Sequence, residues 1–491
     1  MDRDITILVS VGIYLLICVL VGIWALRRTR SSHDFFMAGR NLGVMLTAFA
    51  VFSSTLSGFG FVGGPGLVYR MGMSSVWMVV VAGIGYLVSY SLLAKRIRIM
   101  GELRNAVSLP DVVALRYNSN GVRIWVSIAI LLGVLGYLAT QIKAMAVVLQ
   151  NILDKPDFWP GVSLEWCVLI SCAVLVFYTV TGGIIASVYT DLIQGAVMVI
   201  AAGLIFFTVI LTFDGGLFEM NQYLVADDPE AIGPWGTLGM VGCLSWFFVF
   251  GLGGAGQPHV VTKLMMNRKV SDARNILPVT FLGYVFSALL WIGIGLAMRA
   301  LVVSGQHLPL ETADAAAPAF LQTYAHPLLA GVVFAGLFAA IMSTADGFLN
   351  IGTAAVVHDL PKAFGWKVKN ELLGARLTTL AISVFAALIA LYSGELVAIL
   401  GAFGWGTFAA ALTPVVAVGL NWKRATPLAA IVAIVSSLVI NFGLKASGIA
   451  IPYNIDPGAI ALAFSLCAFV TISVLSPPPE IEQDVAEVMD M

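Results

Sequence analysis

Hydrophobic residues fill most of the chain in long runs, and the polar residues cluster between those runs. A run of about 20 apolar residues is long enough to cross a bilayer as a helix. The pattern predicts thirteen such spans, which in chain order are 5–26, 41–69, 73–94, 122–153, 164–180, 184–213, 235–256, 276–303, 328–357, 372–392, 396–420, 427–444 and 458–475. We therefore predict an all-α polytopic membrane protein.

The span 41–69 is interrupted at its middle. The segment SSTLSG at 53–58 is followed by further glycines up to Gly66, and hydroxyl residues and glycine both favour backbone shapes other than the helix. Non-helical backbone inside a membrane must face protein or a water-filled cavity, because lipid cannot hydrogen-bond it. Its free carbonyls and hydroxyls would be hard oxygen ligands for a small cation. The alternative is a kinked helix that uses small residues for close packing.

The span 235–256 is interrupted in the same way, because it is rich in glycine and runs into Gln257-Pro258-His259. It lies five spans after the first interrupted span, so the two occupy corresponding places in two halves of the chain. We predict two inverted repeats, 42–213 and 235–420, with the substrate site between them. An extra helix at 5–26 precedes the repeats, and two more at 427–475 and an acidic tail at 479–491 follow them.

Composition agrees with a membrane protein, since 59% of the 491 residues are hydrophobic, 11% are charged and the mean hydropathy is +0.96. The net charge of −1 gives no indication of nucleic-acid binding. All five cysteines lie in apolar runs, which is typical of small core residues. The run 5–26 is too long for a signal peptide and lacks a small-residue cleavage pattern, so we predict a retained helix.

Most of the 26 Lys and Arg residues fall on one side of the membrane if the N-terminus lies outside. This bias predicts an outer N-terminus and a cytoplasmic C-terminus. We assign to the inner loops the basic residues Arg27, Arg28, Arg30, Arg40, Lys95, Arg96, Arg98, Arg104, Arg116, Arg123, Lys263, Arg268, Lys269, Arg274, Lys362, Lys367, Lys369, Arg376, Lys423 and Arg424. The segment 109–116 is typical of an amphipathic surface helix, and the acidic tail is expected to be disordered.

Two further segments concentrate oxygen ligands. In AAIMSTADG at 339–347, Ala340, Ser343 and Thr344 stand at i, i+3 and i+4, so one helix face presents a carbonyl and two hydroxyls. At about 1.5 Å per residue, this face, the 53–56 segment and Asp191 of YTDLIQ all fall in the middle slab of the membrane. Asp191 and Asp346 are costly intramembrane carboxylates and therefore functional candidates. The alternative is that each only hydrogen-bonds neighbouring hydroxyls and locks helices together.

These segments resemble the solute:sodium symporters, the family of sodium/proline, pantothenate, sialic acid, monocarboxylate and sugar cotransporters. The resemblance covers about 5–475 and rests on FxxGxxNLG at 36–43, SSTLSGFGFVGGPG at 53–66, TGGIIASVYTDLIQG at 181–195, GQPH at 256–259 and AAIMSTADG at 339–347. It implies a fold similar to the five-plus-five inverted repeat of the leucine transporter. It also implies sodium-coupled uptake of a small solute.

The family's shared sodium site, carried over by motif, falls on the carbonyls of Ser53, Leu56 and Ala340 and on the hydroxyls of Ser343 and Thr344. Members with a second sodium bind it through the acid at the position of Asp191. Those members have hydroxyls where this chain has Asp346 and Gly347, so the resemblance leaves the stoichiometry open.

We predict that Asp191 and Asp346 form one coupled site, on the cytoplasmic side of the shared sodium site. Two nearby carboxylates in low dielectric cannot both stay charged without a cation between them. Either a second sodium bridges them, or one of them holds a proton and they titrate as a pair.

The resemblance implies a substrate site beside the two interrupted helices, near Thr55, Ser57, Tyr137, Phe250 and Trp405. Proline-transporting members have an acid at the position of Thr55 and aromatics at the positions of Phe250 and Gly254. Only Phe250 keeps that character, which argues against proline.

The FVGGPGLVYRMG segment and the region of Gln141 are more similar to the pantothenate and monocarboxylate branches. We therefore predict a small carboxylate as solute, with Gln141 and Lys143 as ligand candidates. Lys143 also has a simpler interpretation, because a lysine near the outer end of a long helix can extend to the interface.

The leading hypothesis is a sodium symporter of the plasma membrane, with solute, Na⁺ and the lipid bilayer as partners and no nucleic acid or obligate protein partner. Sodium-coupled uptake of an amino acid, sugar or sialic acid is the alternative. A sensor with a transporter fold would be expected to carry a large signalling domain, and none follows residue 475. An enzyme would need a nucleophile, metal cluster or paired bases, for which Asp191 with Asp346 is the one candidate pair, so we predict that the protein is not an enzyme.

Overall fold

The structure is a computed structural model that describes residues 3–26, 42–156 and 158–491. The side chains at 18–19, 21–22, 24–26, 79, 178, 181–190 and 193–194 lie outside that description, as do the predicted inner-loop arginines between 27 and 40 and most of the motif at 36–43. The described residues form helices and loops, with one isolated bridge between Leu42 and Asn267.

The first half of the chain folds into helices on both sides of one interruption. In chain order they are α1 (Arg3–Leu26), α2 (Val44–Thr55), a π-helical turn (Phe59–Gly63), α3 (Gly64–Met71), α4 (Val76–Leu103), α5 (Leu109–Tyr117), α6 (Asn120–Leu153), α7 (Leu164–Thr212) and α8 (Gly216–Asp227).

The second half begins with the other interrupted helix. Its elements are α9 (Met240–Trp246), a π-helical turn (Phe247–Gly251), a 3₁₀ segment (Leu252–Gly256), α10 (Pro258–Met265), α11 (Ala273–Val303), α12 (Ala316–Thr323), α13 (Pro327–Ala354), a π-helical turn (Ala355–Asp359), α14 (Leu360–Ala363), α15 (Glu371–Tyr392), α16 (Val397–Leu412), α17 (Pro427–Ser447), α18 (Pro457–Leu475) and α19 (Gln483–Met489).

Within the described residues, ten helical stretches are long and apolar enough to cross a membrane, Val44–Thr55 is a shorter apolar helix, and Leu164–Phe177 is a shorter apolar stretch at the start of α7. This confirms a multi-pass membrane protein but not the predicted count of thirteen spans. We predicted two spans at 164–180 and 184–213, whereas α7 is continuous over 49 residues. Such a helix would be about 74 Å long if straight, more than twice the hydrocarbon thickness of a bilayer.

The first interruption lies where the sequence predicted it. The hydroxyls of Ser54 and Thr55 turn back to the carbonyl of Val51, at 2.9 and 3.3 Å, and Leu56 leaves the helix with φ −78° and ψ 63°. Such local bonds compete with the helical pattern. The glycines that follow allow close packing, because a Cβ on Gly60 would lie 1.9 Å from the Trp291 ring. Together these residues produce two half-helices with a non-helical joint.

The second interruption is centred on Gln257, which is extended at φ −77° and ψ 110° between the 3₁₀ segment and α10. Pro258 opens α10, a position where its missing N–H costs nothing. Upstream, Gly254 meets Gly85 of α4 so closely that a Cβ on Gly254 would lie 2.5 Å from the Gly85 Cα. Both interrupted helices are therefore packed so closely against their neighbours that a side chain at these glycines would overlap them.

The C-terminal segment corrects one prediction. We expected the acidic tail to be disordered, but its residues form α19, whose Val485, Val488 and Met489 are buried. Arg104 holds the segment in place by pairing with Glu482 at 2.5 Å and with Asp484 at 2.7 Å. The tail is thus docked against the end of α4 by apolar contacts and by charge complementarity.

Candidate ion and substrate site

Ser343 and Thr344 point from α13 to two different partners. Thr344 Oγ1 donates to the carbonyl oxygen of Ser54 at 3.0 Å, while Ser343 Oγ donates to the Asp191 carboxylate. Both hydroxyl residues are buried, as is Ala340 one turn earlier. The structure thus brings these predicted sodium ligands on α13 against the end of α2, next to the joint at Leu56.

Asp191 is the centre of this arrangement. It is fully buried on α7 and interacts with the side chain of Ser53 as well as with Ser343. Its neighbours Tyr189, Thr190 and Gln194, which the motif also includes, have side chains outside the described part of the chain. Asp191 therefore connects the α13 hydroxyls to the first interrupted helix.

Lys263 is the residue that the sequence analysis placed wrongly. We assigned it to an inner loop, but its side chain on α10 is only 3% exposed, and its Nζ lies 3.4 Å from Asp191 Oδ2. The ammonium also donates to the carbonyl of Ala50 on α2. Asp346, buried on α13, interacts electrostatically with the same ammonium. A lysine four residues beyond His259 on a short helix was the available signal, because it shares a helix face with a residue of the second interruption.

Six rings form a cluster between the two interruptions, and three of them, those of Tyr137, Phe250 and Trp405, were predicted substrate residues. Stacked pairs link Phe59 to Phe250 at 6.0 Å and Phe250 to Trp405 at 5.3 Å between ring centroids. The remaining members of the cluster are Phe348, whose ring lies 4.5 Å from that of Tyr137, and His259, 4.8 Å from Phe348. The sequence analysis did not identify Phe59, His259 or Phe348 as site residues.

Polar groups border this aromatic cluster on the side of the first interruption. Gln141 accepts from the backbone N–H of Gly58 at 2.9 Å and donates to Ser57 Oγ at 3.2 Å. Ser57 Oγ lies 3.3 Å from the Tyr137 hydroxyl, and Thr55 Oγ1 lies 3.4 Å from His259 Nε2. The structure therefore brings the predicted Thr55, Ser57, Tyr137 and Gln141 together.

Two buried polar atoms in or beside the cluster, His259 Nδ1 and Gln257 Oε1, have no hydrogen-bond partner among the described residues. The amide nitrogen of Gln257 is satisfied by the carbonyl of Trp405 at 3.1 Å. A buried polar group without a partner is costly, so these two atoms are suited to a polar ligand.

Lys143 lies apart from this group. Its ammonium donates to the carbonyl of Glu395 and lines an open cavity of about 490 Å³ that also includes Asp314. Burial raises the pKa of Asp314 to about 6, although the N–H of Val397 and the charge of Lys143 act in the opposite direction. These contacts favour the interfacial interpretation of Lys143.

A narrow cavity leads away from the ion site. Its water-sized space is about 30 Å³, enough for about one or two water molecules. Ser54, Thr344 and Lys263 line one end, and the start of α5 and the end of α13 line the other.

Ionic contacts fasten α5 beside this cavity. Asp111 accepts from Lys362 at 2.7 Å and lies 3.1 Å from His358 and 3.4 Å from Arg123. Burial alone would raise the pKa of Asp111, but the hydrogen bonds to His358 and Lys362 outweigh it and hold that pKa below its usual value.

Comparison with known proteins gives one consistent result. The sequence profile of the Sodium:solute symporter family matches residues 35–436. The osmoregulated proline transporter OpuE of Bacillus subtilis (strain 168) is 28% identical over 493 residues, covering 97% of this chain and 96% of its own. A sodium/proline symporter of Staphylococcus aureus is 26% identical over 444 residues, covering 88% and 84%.

Among solved structures, a substrate-bound outward-open Na⁺-coupled sialic acid symporter superposes with a TM-score of 0.76 at 19% identity, covering 98% of this chain and all of its own. That likeness confirms the predicted leucine-transporter-like fold.

Proposed function

Because the chain belongs to the sodium:solute symporter family, we propose that it imports a small carboxylate together with sodium by alternating access. Sodium is the coupling ion of the family, and the protein is a transporter and not an enzyme. The observation that carries the choice of solute is the start of the half-helix at Gly58, which faces the aromatic cluster.

The positive end of a helix dipole attracts an anion, and interrupted transporter helices use such ends to hold a substrate carboxylate. At that start, Gln141 Oε1 accepts from the Gly58 N–H. The hydroxyls of Ser57 and Tyr137 and the amide nitrogen of Gln141 are the donor groups that a solute carboxylate would meet. The adjoining rings of Phe59 and Phe250 would cover the apolar part of the solute.

An amino acid is the second candidate, because the two relatives above are named as proline transporters. Its ammonium would need an acceptor, and Gln257 Oε1 is a buried acceptor beside the cluster. Thr55 occupies the position at which proline-transporting members have an acid. The neutral amide of Gln257 attracts an ammonium less strongly than such a carboxylate would.

Three ring compounds of similar size separate the candidates. Proline carries a carboxylate and an ammonium, cyclopentanecarboxylate carries the carboxylate alone, and pyrrolidine carries the ammonium alone. The assay measures sodium-driven uptake into proteoliposomes with a panel of solutes that also includes lactate, pantothenate and sialic acid. We expect cyclopentanecarboxylate to inhibit uptake of the solute that the protein transports, and pyrrolidine and glucose not to inhibit it. Inhibition by proline alone would replace the carboxylate proposal with the amino-acid one, and preference for glucose would refute both.

We infer that the shared sodium ion is held by the carbonyls of Ser53, Leu56 and Ala340 with the hydroxyls of Ser343 and Thr344. The contacts of both hydroxyls with the α2 and α7 residues support this assignment. We also infer inverted repeats at 42–213 and 235–420, supported by the interruptions at Leu56 and Gln257. The outer N-terminus and cytoplasmic C-terminus remain predictions from the positive charges, which labelling of single cysteines from either side would test.

A further inference from the structure

We propose that the ammonium of Lys263 is a built-in cation that takes the place of a second sodium ion, so that one sodium accompanies each solute molecule. This inference rests on the sodium symport proposed above and adds its stoichiometry. It concerns the second cation position only, beside Asp191 and Asp346.

The Lys263 ammonium contacts oxygen atoms of the kind that bind a sodium ion. Its Nζ meets one carboxylate oxygen of Asp191 at 3.4 Å and the carbonyl oxygen of Ala50, and both groups belong to elements that surround the first interruption. An ammonium has three donors and no acceptor, so it satisfies oxygen ligands as a monovalent cation does. Lys263 is 3% exposed and Asp191 is fully buried, so both charges are shielded from bulk water.

With both carboxylates ionised, the charges of the described residues at this position are balanced by one mobile cation. Asp191 and Asp346 contribute two negative charges, and Lys263, which interacts with both, contributes one positive charge. One sodium at the Ser343 and Thr344 hydroxyls brings the sum to zero. A second sodium at Asp191 would stand within a few ångströms of the ammonium, and like charges repel strongly in a buried site.

Lys263→Met tests the assignment, because methionine keeps most of the side-chain volume and removes the charge. In proteoliposomes loaded through a ²²Na⁺ gradient, we expect one sodium per solute in the unmodified protein and two in Lys263→Met, with the sodium Hill coefficient rising from about one to about two. The matched control Lys263→Arg keeps the charge and should keep the ratio at one. The double variant Asp191→Asn with Lys263→Met removes both members of the pair and should return the ratio to one.

A ratio of two in the unmodified protein would overturn the proposal, as would a Lys263→Met protein that still couples one sodium with unchanged sodium affinity. One outcome is that Lys263→Met on its own fails to accumulate in the membrane. In that case, accumulation of the double variant supports the pairing of the two charges. If the double variant also fails to accumulate, Lys263 has a packing role and the proposal is contradicted. The ratio is measured with any solute that the panel shows to be taken up, so failure of the carboxylate proposal leaves this test intact. Sodium titration of the purified proteins by thermal shift gives the same Hill coefficients without any solute.

Discussion

Removal of the Ser343 and Thr344 hydroxyls on α13 should weaken sodium binding while the protein still folds. In Ser343→Ala with Thr344→Ala, the sodium ion loses two of its five proposed ligands, both of which are buried hydroxyls. A hydrogen-bonding group that meets a charge contributes about 1.5–3 kcal/mol, so the loss of two weakens sodium binding by about 3–6 kcal/mol, or roughly 10²- to 10⁴-fold. The Thr344 contact with Ser54, at 3.0 Å, also disappears.

The assay is a sodium titration of the purified protein by thermal shift, with choline chloride holding the ionic strength constant, followed by uptake at saturating sodium. Thr353→Ala is the matched control, since it removes a buried hydroxyl of α13 that pairs with Thr379 at 3.0 Å, away from the ion site. We expect that control to bind sodium as the unmodified protein does. A double variant that is well folded and keeps its sodium affinity within about threefold would refute the ligand assignment. The lost contacts predict a decrease in sodium affinity of at least about 10²-fold.

Three further changes give distinct outcomes. Lys143→Ala should leave the affinity for the transported solute unchanged in competition assays, since its ammonium lines the open cavity that includes Asp314 and does not contact the aromatic cluster; a tenfold loss would restore it as a ligand. The pKa of Asp314, raised to about 6 from an ordinary value near 4, should make the thermal midpoint rise as pH falls from about 7 to 4, because the folded state favours the protonated carboxyl. Asp314→Asn should flatten that slope, and an unchanged slope would assign it to another group. Gly254→Ala should cost about 1–3 kcal/mol of stability because its Cβ would overlap Gly85, whereas Gly443→Ala, with nothing within 4 Å, should be neutral or stabilising, and equal thermal midpoints would contradict the close crossing.

Sequence reasoning located the two interruptions because their residues act locally. Hydroxyls bond back to nearby carbonyls, and glycine and proline change the backbone wherever they stand, so Leu56 and Gln257 could be predicted as joints. The gathering of Thr55, Ser57 and Tyr137 followed from the family resemblance, which carries long-range contacts that no local pattern contains.

Two of the errors have the opposite origin, since each depends on a partner distant in the chain. Lys263 has the sequence context of an inner-loop lysine, and its burial becomes understandable only with Asp191, 72 residues earlier, beside it. The charged tail was expected to stay in water, but Arg104 and the apolar side of α19 hold it against α4. Neither contact produces a periodic signal along the sequence.

The ionic contacts of Asp111 limit how the narrow cavity can widen. This carboxylate ties α5 to the segment that follows α13, at His358 and Lys362, and to α6 through Arg123. Separating a buried carboxylate from its partners costs several kcal/mol, so these three elements would move as one rigid body. The opposite wall of the cavity is α10, which is only eight residues long and follows the extended joint at Gln257. A swing of α10 about that joint would therefore widen the narrow cavity, and the same motion would draw Lys263 away from Asp191.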